Sequence, residues 1–320
     1  MDTKDNSLGR TISPEATSAS SKNIHTFSHE AMATTYQIFI ADQDKQYAAQ
    51  AALEAFNLLD QLDNDLSRYM DSSDVSRINL SPADTPVKVG EDAFNCLLGC
   101  LSLYDETTGA FDITVGALMD LWLNPDKSLR HPSQADIDKA FSITGMNLLE
   151  LDDDDYTVTK TKADLSIDLG GYGKGYAVEE MAALLEEWDI QDVLIHGGFS
   201  SVIARGRMPG HSGWVVSVTD PFVNKVIEKI ELEDYAISSS GLMKGSHIID
   251  PRTGKPLQRK RATWTISPEA AICDGLSTAF MVMEFDEIEA FVDAHPELSA
   301  LIITQENNKN QVLRIGRWWD

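Results

Sequence analysis

Apolar residues recur every three or four positions between residues 46 and 70. Phe56, Leu59, Leu62 and Leu66 share one face, and that spacing predicts a long amphipathic helix. A second helix is predicted over residues 91–107. Apolar runs of strand length are found at Met32–Ala41, Asp192–His196, Trp214–Val218, Lys225–Leu232, Tyr235–Ser239 and Ala300–Thr304. Thr85–Val89 reads as a short extended piece. Leu148–Leu151 and Tyr156–Thr159 flank an aspartate run and predict a hairpin. Ser133 opens a helix to Ile143, with Asp136 at the capping-box position. Ser267-Pro268 supplies an N-cap and an N1 proline for a helix to Met283. A helix over Asp286–Ala294 and a hairpin through Glu306–Asn310 to Val312–Ile315 follow.

Several predicted strands follow one another without an intervening helix. That order predicts an α+β fold with a mixed, largely antiparallel sheet flanked by helices. Residues 1–24 are polar and read as a disordered lead, and residues 25–320 read as one domain.

Charge narrows the choice of partner. The chain carries 26 basic and 51 acidic residues, a net charge of −25. Such a surface repels nucleic acid and anionic membranes, so neither is an expected partner. An anionic ligand would need a metal ion, a lysine or backbone amides at its site. No apolar run reaches the ~18 residues of a membrane span, and residues 1–25 hold no apolar signal core, so a cytoplasmic protein is expected. Cys96 and Cys100 lie four apart on a predicted helix, a separation unsuited to a disulfide. They and Cys273 are expected to be buried thiols.

Chemistry concentrates at Ile167-Asp168-Leu169-Gly170-Gly171-Tyr172-Gly173-Lys174-Gly175-Tyr176. Glycines let backbone approach a ligand closely, amides ahead of a helix favour phosphate, and Lys174 adds a positive charge. The Walker pattern is not met, because Asp168 stands where its first glycine belongs and Gly175 follows the lysine. The segment reads either as a phosphate-handling loop or as a glycine-rich turn into a helix at 176–188. Asp274 and Thr278 are four apart on a predicted helix, so their oxygens share a face. That pair suits a hard cation such as Mg²⁺, or leaves Asp274 as a buried acid bonded to a neighbour. His247 is a candidate general base or a structural histidine. Arg252 would meet phosphate or solvent, and Ser238-Ser239-Ser240-Gly241 is a hydroxyl donor set or a polar turn. Tyr69 would stack on a flat ring or sit at a rim. The run Asp152–Asp155 reads as a solvated turn.

Six blocks together resemble the ApbE family of FAD:protein FMN transferases. They are MATTY (32–36), LSRYMDSSDVSRIN (66–79), GAFDITVGALMDLW (109–122), IDLGGYGKGYAVEE (167–180), HIIDPRTGKP (247–256) and CDGLSTAF (273–280). The similarity runs from Met32 to Met283 and keeps the family's order. It implies FAD as substrate, Mg²⁺ as cofactor and cleavage of the FAD pyrophosphate. FMN would pass to a Ser or Thr hydroxyl of an acceptor flavoprotein, and AMP would leave. By the same resemblance Met32, Tyr69, Ala110, Phe111, Asp112, Asp168, Lys174 and Ile248 would bind flavin dinucleotide. Asp274, Thr278 and the carbonyl of Gly171 would bind metal, and His247 would assist deprotonation of the attacking hydroxyl. The chain departs from the family's usual pattern at Glu179 (Asp), Ser239 (Thr) and Ser277 (a second acid in some members), and its segment from Ser240 to His247 is short. Many relatives are exported lipoproteins. Two other activities remain open: a Mg²⁺-dependent FAD pyrophosphatase and a non-catalytic flavin carrier.

Overall fold

The computed structural model describes residues 12–14, 23–126, 128–242, 248–307 and 309–318. The chain begins with strand β1 (Ile12–Pro14), then β2 (Ile24–Ala31) and β3 (Thr34–Ala41). Helices α1 (Lys45–Leu66) and α2 (Asp74–Leu80) precede β4 (Val87–Lys88), α3 (Glu91–Glu106), α4 (Gly116–Trp122) and α5 (Gln134–Phe141). The hairpin β5 (Leu149–Asp152) and β6 (Thr157–Lys160) leads to α6 (Gly173–Glu187). Five strands follow: β7 (Val193–Gly197), β8 (Ser201–Arg205), β9 (Trp214–Asp220), β10 (Lys225–Leu232) and β11 (Ala236–Gly241). Short strands β12 (Ile249–Asp250) and β13 (Lys255–Pro256) precede β14 (Arg261–Ser267), α7 (Ala270–Val282), α8 (Phe285–Ala294), β15 (Ser299–Glu306) and β16 (Lys309–Gly316).

The main sheet runs β16-β15-β14-β11-β8-β7-β3-β2. Every pairing in it is antiparallel. Strands β3, β7 and β15 bury apolar side chains on both faces, because each face is covered. Tyr36, Ile38, Ile40, Ile195 and Ile302 join the core of α1, α3, α6 and α7. Phe39, Leu194, Val202, Trp264 and Leu301 join a second core with Trp214, Val216 and Val218 of the small sheet β1-β9-β10. The molecule is therefore layered as helices, large sheet, small sheet.

Strand β14 has polar teeth on its helix face. Thr263 Oγ1 donates to the Ser277 carbonyl and Thr265 Oγ1 to the Cys273 carbonyl, each at 2.6 Å. Arg261 Nη1 donates to the Phe280 carbonyl at 2.9 Å. These bonds fix α7 against the sheet along its length, and α7 carries Asp274 and Thr278.

Two expectations are corrected. Residues 12–14 belong to the lead expected to be disordered, yet Ile12 is fully buried and pairs with Val218. Its apolar side chain completes the second core, which outweighs the polar composition around it. Ser267 closes β14 rather than capping a helix, and α7 starts at Ala270 with Glu269 at the N-cap position. The hairpin, the Ser133 cap and the long helix are present as expected, while α6 starts at Gly173, inside the glycine run. Among the described residues no helix is long and apolar enough to cross a membrane.

Candidate active site

The site begins where α6 meets α7. A Cβ on Gly175 would lie 2.3 Å from the Ala270 carbonyl oxygen and 2.7 Å from Asp274 Cβ, so only glycine permits this approach. Closeness puts Gly175 N 3.0 Å from Asp274 Oδ2, which also accepts from Lys174 Nζ at 3.2 Å. The buried Asp274 carboxylate thus faces the first turn of α6, the positive end of its dipole. One turn along, the Glu179 carboxylate accepts from Ala271 N at 2.9 Å and ties α6 to the start of α7. Burial pushes the Glu179 carboxyl up from its ordinary value.

Thr278 lies a turn beyond Asp274. Its Oγ1 is 3.1 Å from Ser240 Oγ, which is also 2.9 Å from Ser277 Oγ. A Cβ on Gly171 would stand 3.1 Å from the same Thr278 oxygen, so the glycine turn faces Thr278 directly. One carboxylate, two hydroxyls and a peptide turn therefore form an oxygen-lined corner. Among the described residues no group of three or more His, Cys, Asp or Glu side chains is placed to hold a metal. The corner instead suits a hard cation that takes few protein oxygens and fills its shell with phosphate and water.

The opposite wall is built from Ile113 to the turn. Asp168 N donates to the Ile113 carbonyl at 2.7 Å, and Gly170 N donates to Asp168 Oδ1 at 2.8 Å. Arg68 Nη1 reaches Asp168 Oδ2 at 3.1 Å while its Nη2 reaches Asp120 at 2.8 Å. Asp112 Oδ1 accepts from Thr114 N at 2.7 Å and from its hydroxyl at 2.6 Å. Burial nevertheless pushes the Asp112 carboxyl up to about 6, the Thr114 bonds opposing that rise. Met32 takes a positive φ of 48° in the β2–β3 turn; its N donates to Asp63 at 2.7 Å and its Sδ accepts from the Tyr36 hydroxyl at 3.1 Å. Tyr69 stands at the rim, 84% exposed.

All of these meet in one cleft of about 1780 Å³. Met32, Tyr69, Ala110, Phe111, Asp112, Asp168, Gly171, Lys174, Ile248, Asp274 and Thr278 line it, although they are drawn from segments up to 246 residues apart (32 to 278). His247 lies outside the described residues. Arg252 does not line the cleft; its Nη1 pairs with Glu287 at 2.7 Å. Ser239 and Ser240 line it, whereas Ser238 is buried within the sheet. The Asp152–Asp155 run is an exposed turn, as expected. Arg68, Asp63 and Asp120 also line the cleft, and sequence reasoning missed them. Arg68 sits beside Tyr69 in the same block, but its Asp168 partner is 100 residues away and no local spacing announces it.

The sequence model of the ApbE family matches residues 32–302. This chain belongs to the ApbE family. The matched span contains all six blocks and every residue placed in the cleft above. Among similar proteins, an FAD:protein FMN transferase of Salmonella typhimurium is 31% identical over 292 residues, covering 86% of this chain and 83% of that protein. Among solved structures, the flavin transferase ApbE from Vibrio cholerae superposes with a TM-score of 0.81 at 26% identity, covering 91% of this chain and 97% of that one. The apo form of Pseudomonas stutzeri flavinyl transferase ApbE gives 0.82 at 27% identity, covering 91% and 94%. The α+β architecture is thus that of ApbE flavin transferases.

Proposed function

We propose that this ApbE chain transfers FMN from FAD to a Ser or Thr hydroxyl of an acceptor flavoprotein. The acceptor oxygen forms a new bond to the FMN phosphorus, the pyrophosphate P–O bond to AMP breaks, and the hydroxyl proton is lost. One observation carries this reading. The oxygen corner of Asp274, Thr278 and the Gly171 turn shares a single cleft with Asp168 and the Ala110–Asp112 wall. A dinucleotide with its pyrophosphate at the corner would lie in the same cleft as that wall.

Charge supports a cation at that corner. Six acidic and three basic side chains line the cleft, so the protein alone offers an anionic pyrophosphate a repulsive field. Asp274, Thr278 and the Gly171 carbonyl fit Mg²⁺ by donor chemistry, all three being hard oxygens. Bound there, the ion would neutralise pyrophosphate oxygens and the charge developing on AMP. Lys174, held by Asp274, contributes a further positive charge beside the same oxygens. By the family resemblance, His247 is assigned the acceptor-side proton.

The test is incubation with FAD, MgCl₂ and an acceptor flavoprotein, followed by denaturing electrophoresis with in-gel fluorescence and intact mass. Covalent FMN on the acceptor is expected. Free FMN and AMP with an unmodified acceptor would make the chain a pyrophosphatase, and unchanged FAD would make it a carrier.

A further inference from the structure

The two residues ahead of Asp168 are held from both sides, and on one side by a single side chain. On the first flank the bonds are main-chain: Gly116 N donates to the Ser166 carbonyl at 3.0 Å and Asp168 N to the Ile113 carbonyl at 2.7 Å. Val115 and Ser166 form a parallel bridge there. On the second flank the carboxamide of Asn79 takes the place of a strand. Its Nδ2 donates to the Ile167 carbonyl at 3.0 Å, and its Oδ1 accepts from Ile167 N at 2.7 Å. Ile167 is fully buried, so these two peptide groups need partners that water cannot supply.

Asn79 is itself secured. Buried Lys160 donates through Nζ to the Asn79 carbonyl at 2.6 Å and to the Ala163 and Leu165 carbonyls at 2.7 and 3.2 Å. One ammonium thus binds the end of α2 to the segment that enters the glycine turn. Asn79 does not line the cleft, so it does not reach a bound ligand directly. Ile167 is joined directly to Asp168, whose carboxylate receives Gly170 N ahead of the turn that faces Thr278.

We propose that Asn79 is a positioning residue for flavin transfer, acting through Asp168. The proposal rests on the reading of Asp168 as a residue that contacts the dinucleotide. The test is a double-mutant cycle on the full chain, comparing wild type, Asn79→Ala, Asp168→Ala and the double variant. The readouts are FAD affinity, by flavin fluorescence, and kcat/KM for transfer. Asn79→Ala is expected to weaken both by about 30-fold in the wild-type background and by less than about threefold once Asp168 is gone. Equal losses in both backgrounds would overturn the proposal, because a merely structural loss multiplies regardless of Asp168. If Asn79→Ala does not fold, Asn79→Asp replaces it. That variant keeps the acceptor for Ile167 N and loses the donor. A loss that shrinks without Asp168 again supports the proposal, and an equal loss again overturns it. Leu80→Ala, at the 76% exposed next position of α2, is the control and is expected to match wild type. A wild-type chain that binds FAD but transfers nothing refutes the transferase reading alone, since the affinity cycle still decides the role of Asn79.

Discussion

Asp112 is a carboxyl whose surroundings favour its protonated form. Its folded value of about 6 lies above the ordinary 3.8, chiefly through burial. Between those values the folded chain holds more proton than the unfolded one. Stability therefore falls as pH rises through this window, and the loss is complete above it. Its size is at most about 3 kcal/mol. Asp112→Asn keeps an oxygen for the two Thr114 bonds and removes the charge. The variant is expected to match wild type in urea unfolding at pH 4 and to exceed it by up to about 3 kcal/mol at pH 8. A difference that does not change with pH would show that Asp112 ionises at its ordinary value. Asp274 answers a different question. Asp274→Asn retains an acceptor for Gly175 N yet removes the charge, so transfer should fall at least about 100-fold while the melting temperature holds within a few degrees. Retention of a tenth of the wild-type rate would remove Asp274 from the metal role. Asp274 and Thr278 were legible because they share a helix face. Arg68 and Asn79 were not, since their partners sit 100 and 88 residues away.

Among the elements, α6 and α7 set the geometry, and glycine sets their separation. Gly175→Ala would drive a methyl into the Ala270 carbonyl and Asp274 Cβ. Neither is the end of a flexible chain, so the helices must part, at about 1–3 kcal/mol. Gly173 offers a comparison in the same turn: a Cβ there meets only Leu169 Cβ, at 3.8 Å. Gly173→Ala should leave the urea midpoint unchanged or slightly raised, while Gly175→Ala lowers it and reduces transfer. Equal midpoints for the two would mean that α6 does not press on α7. Which elements the sequence announces follows from their surroundings. Helix α1 has one dry face and strand β7 two, so their patterns are plain. Strand β14 was missed because Arg261, Thr263, Thr265 and Ser267 alternate along it as polar residues, although all are buried. Arg261, Thr263 and Thr265 bond carbonyls of α7, and hydropathy does not register a polar side chain satisfied by a helix. Strand β2 was missed for a simpler reason: it is the outer strand of the main sheet and exposes much of its length.

For the whole molecule, the net charge of −25 acts on both proposed ligands with opposite sign. It draws Mg²⁺ toward the chain and repels the FAD pyrophosphate. Both effects are long-ranged, and both fade as the Debye length shortens to ~10 Å at 0.1 M salt. The excess of acidic over basic side chains at the cleft keeps the sign the same at close range. Raising NaCl from about 20 to about 200 mM should therefore weaken the apparent Mg²⁺ affinity. At saturating Mg²⁺ the same change should speed FAD association in stopped-flow fluorescence by about two- to fivefold. Ordinary anion sites built from lysine and arginine show the reverse slope, slowing as salt screens attraction. Association that slows with salt would mean that Arg68, Arg130 and Lys174 dominate the local field, and a metal ion would no longer be required to bring the dinucleotide in. Association that quickens, together with loss of transfer on chelation and its return with MgCl₂, assigns that task to the ion at the Asp274–Thr278 corner.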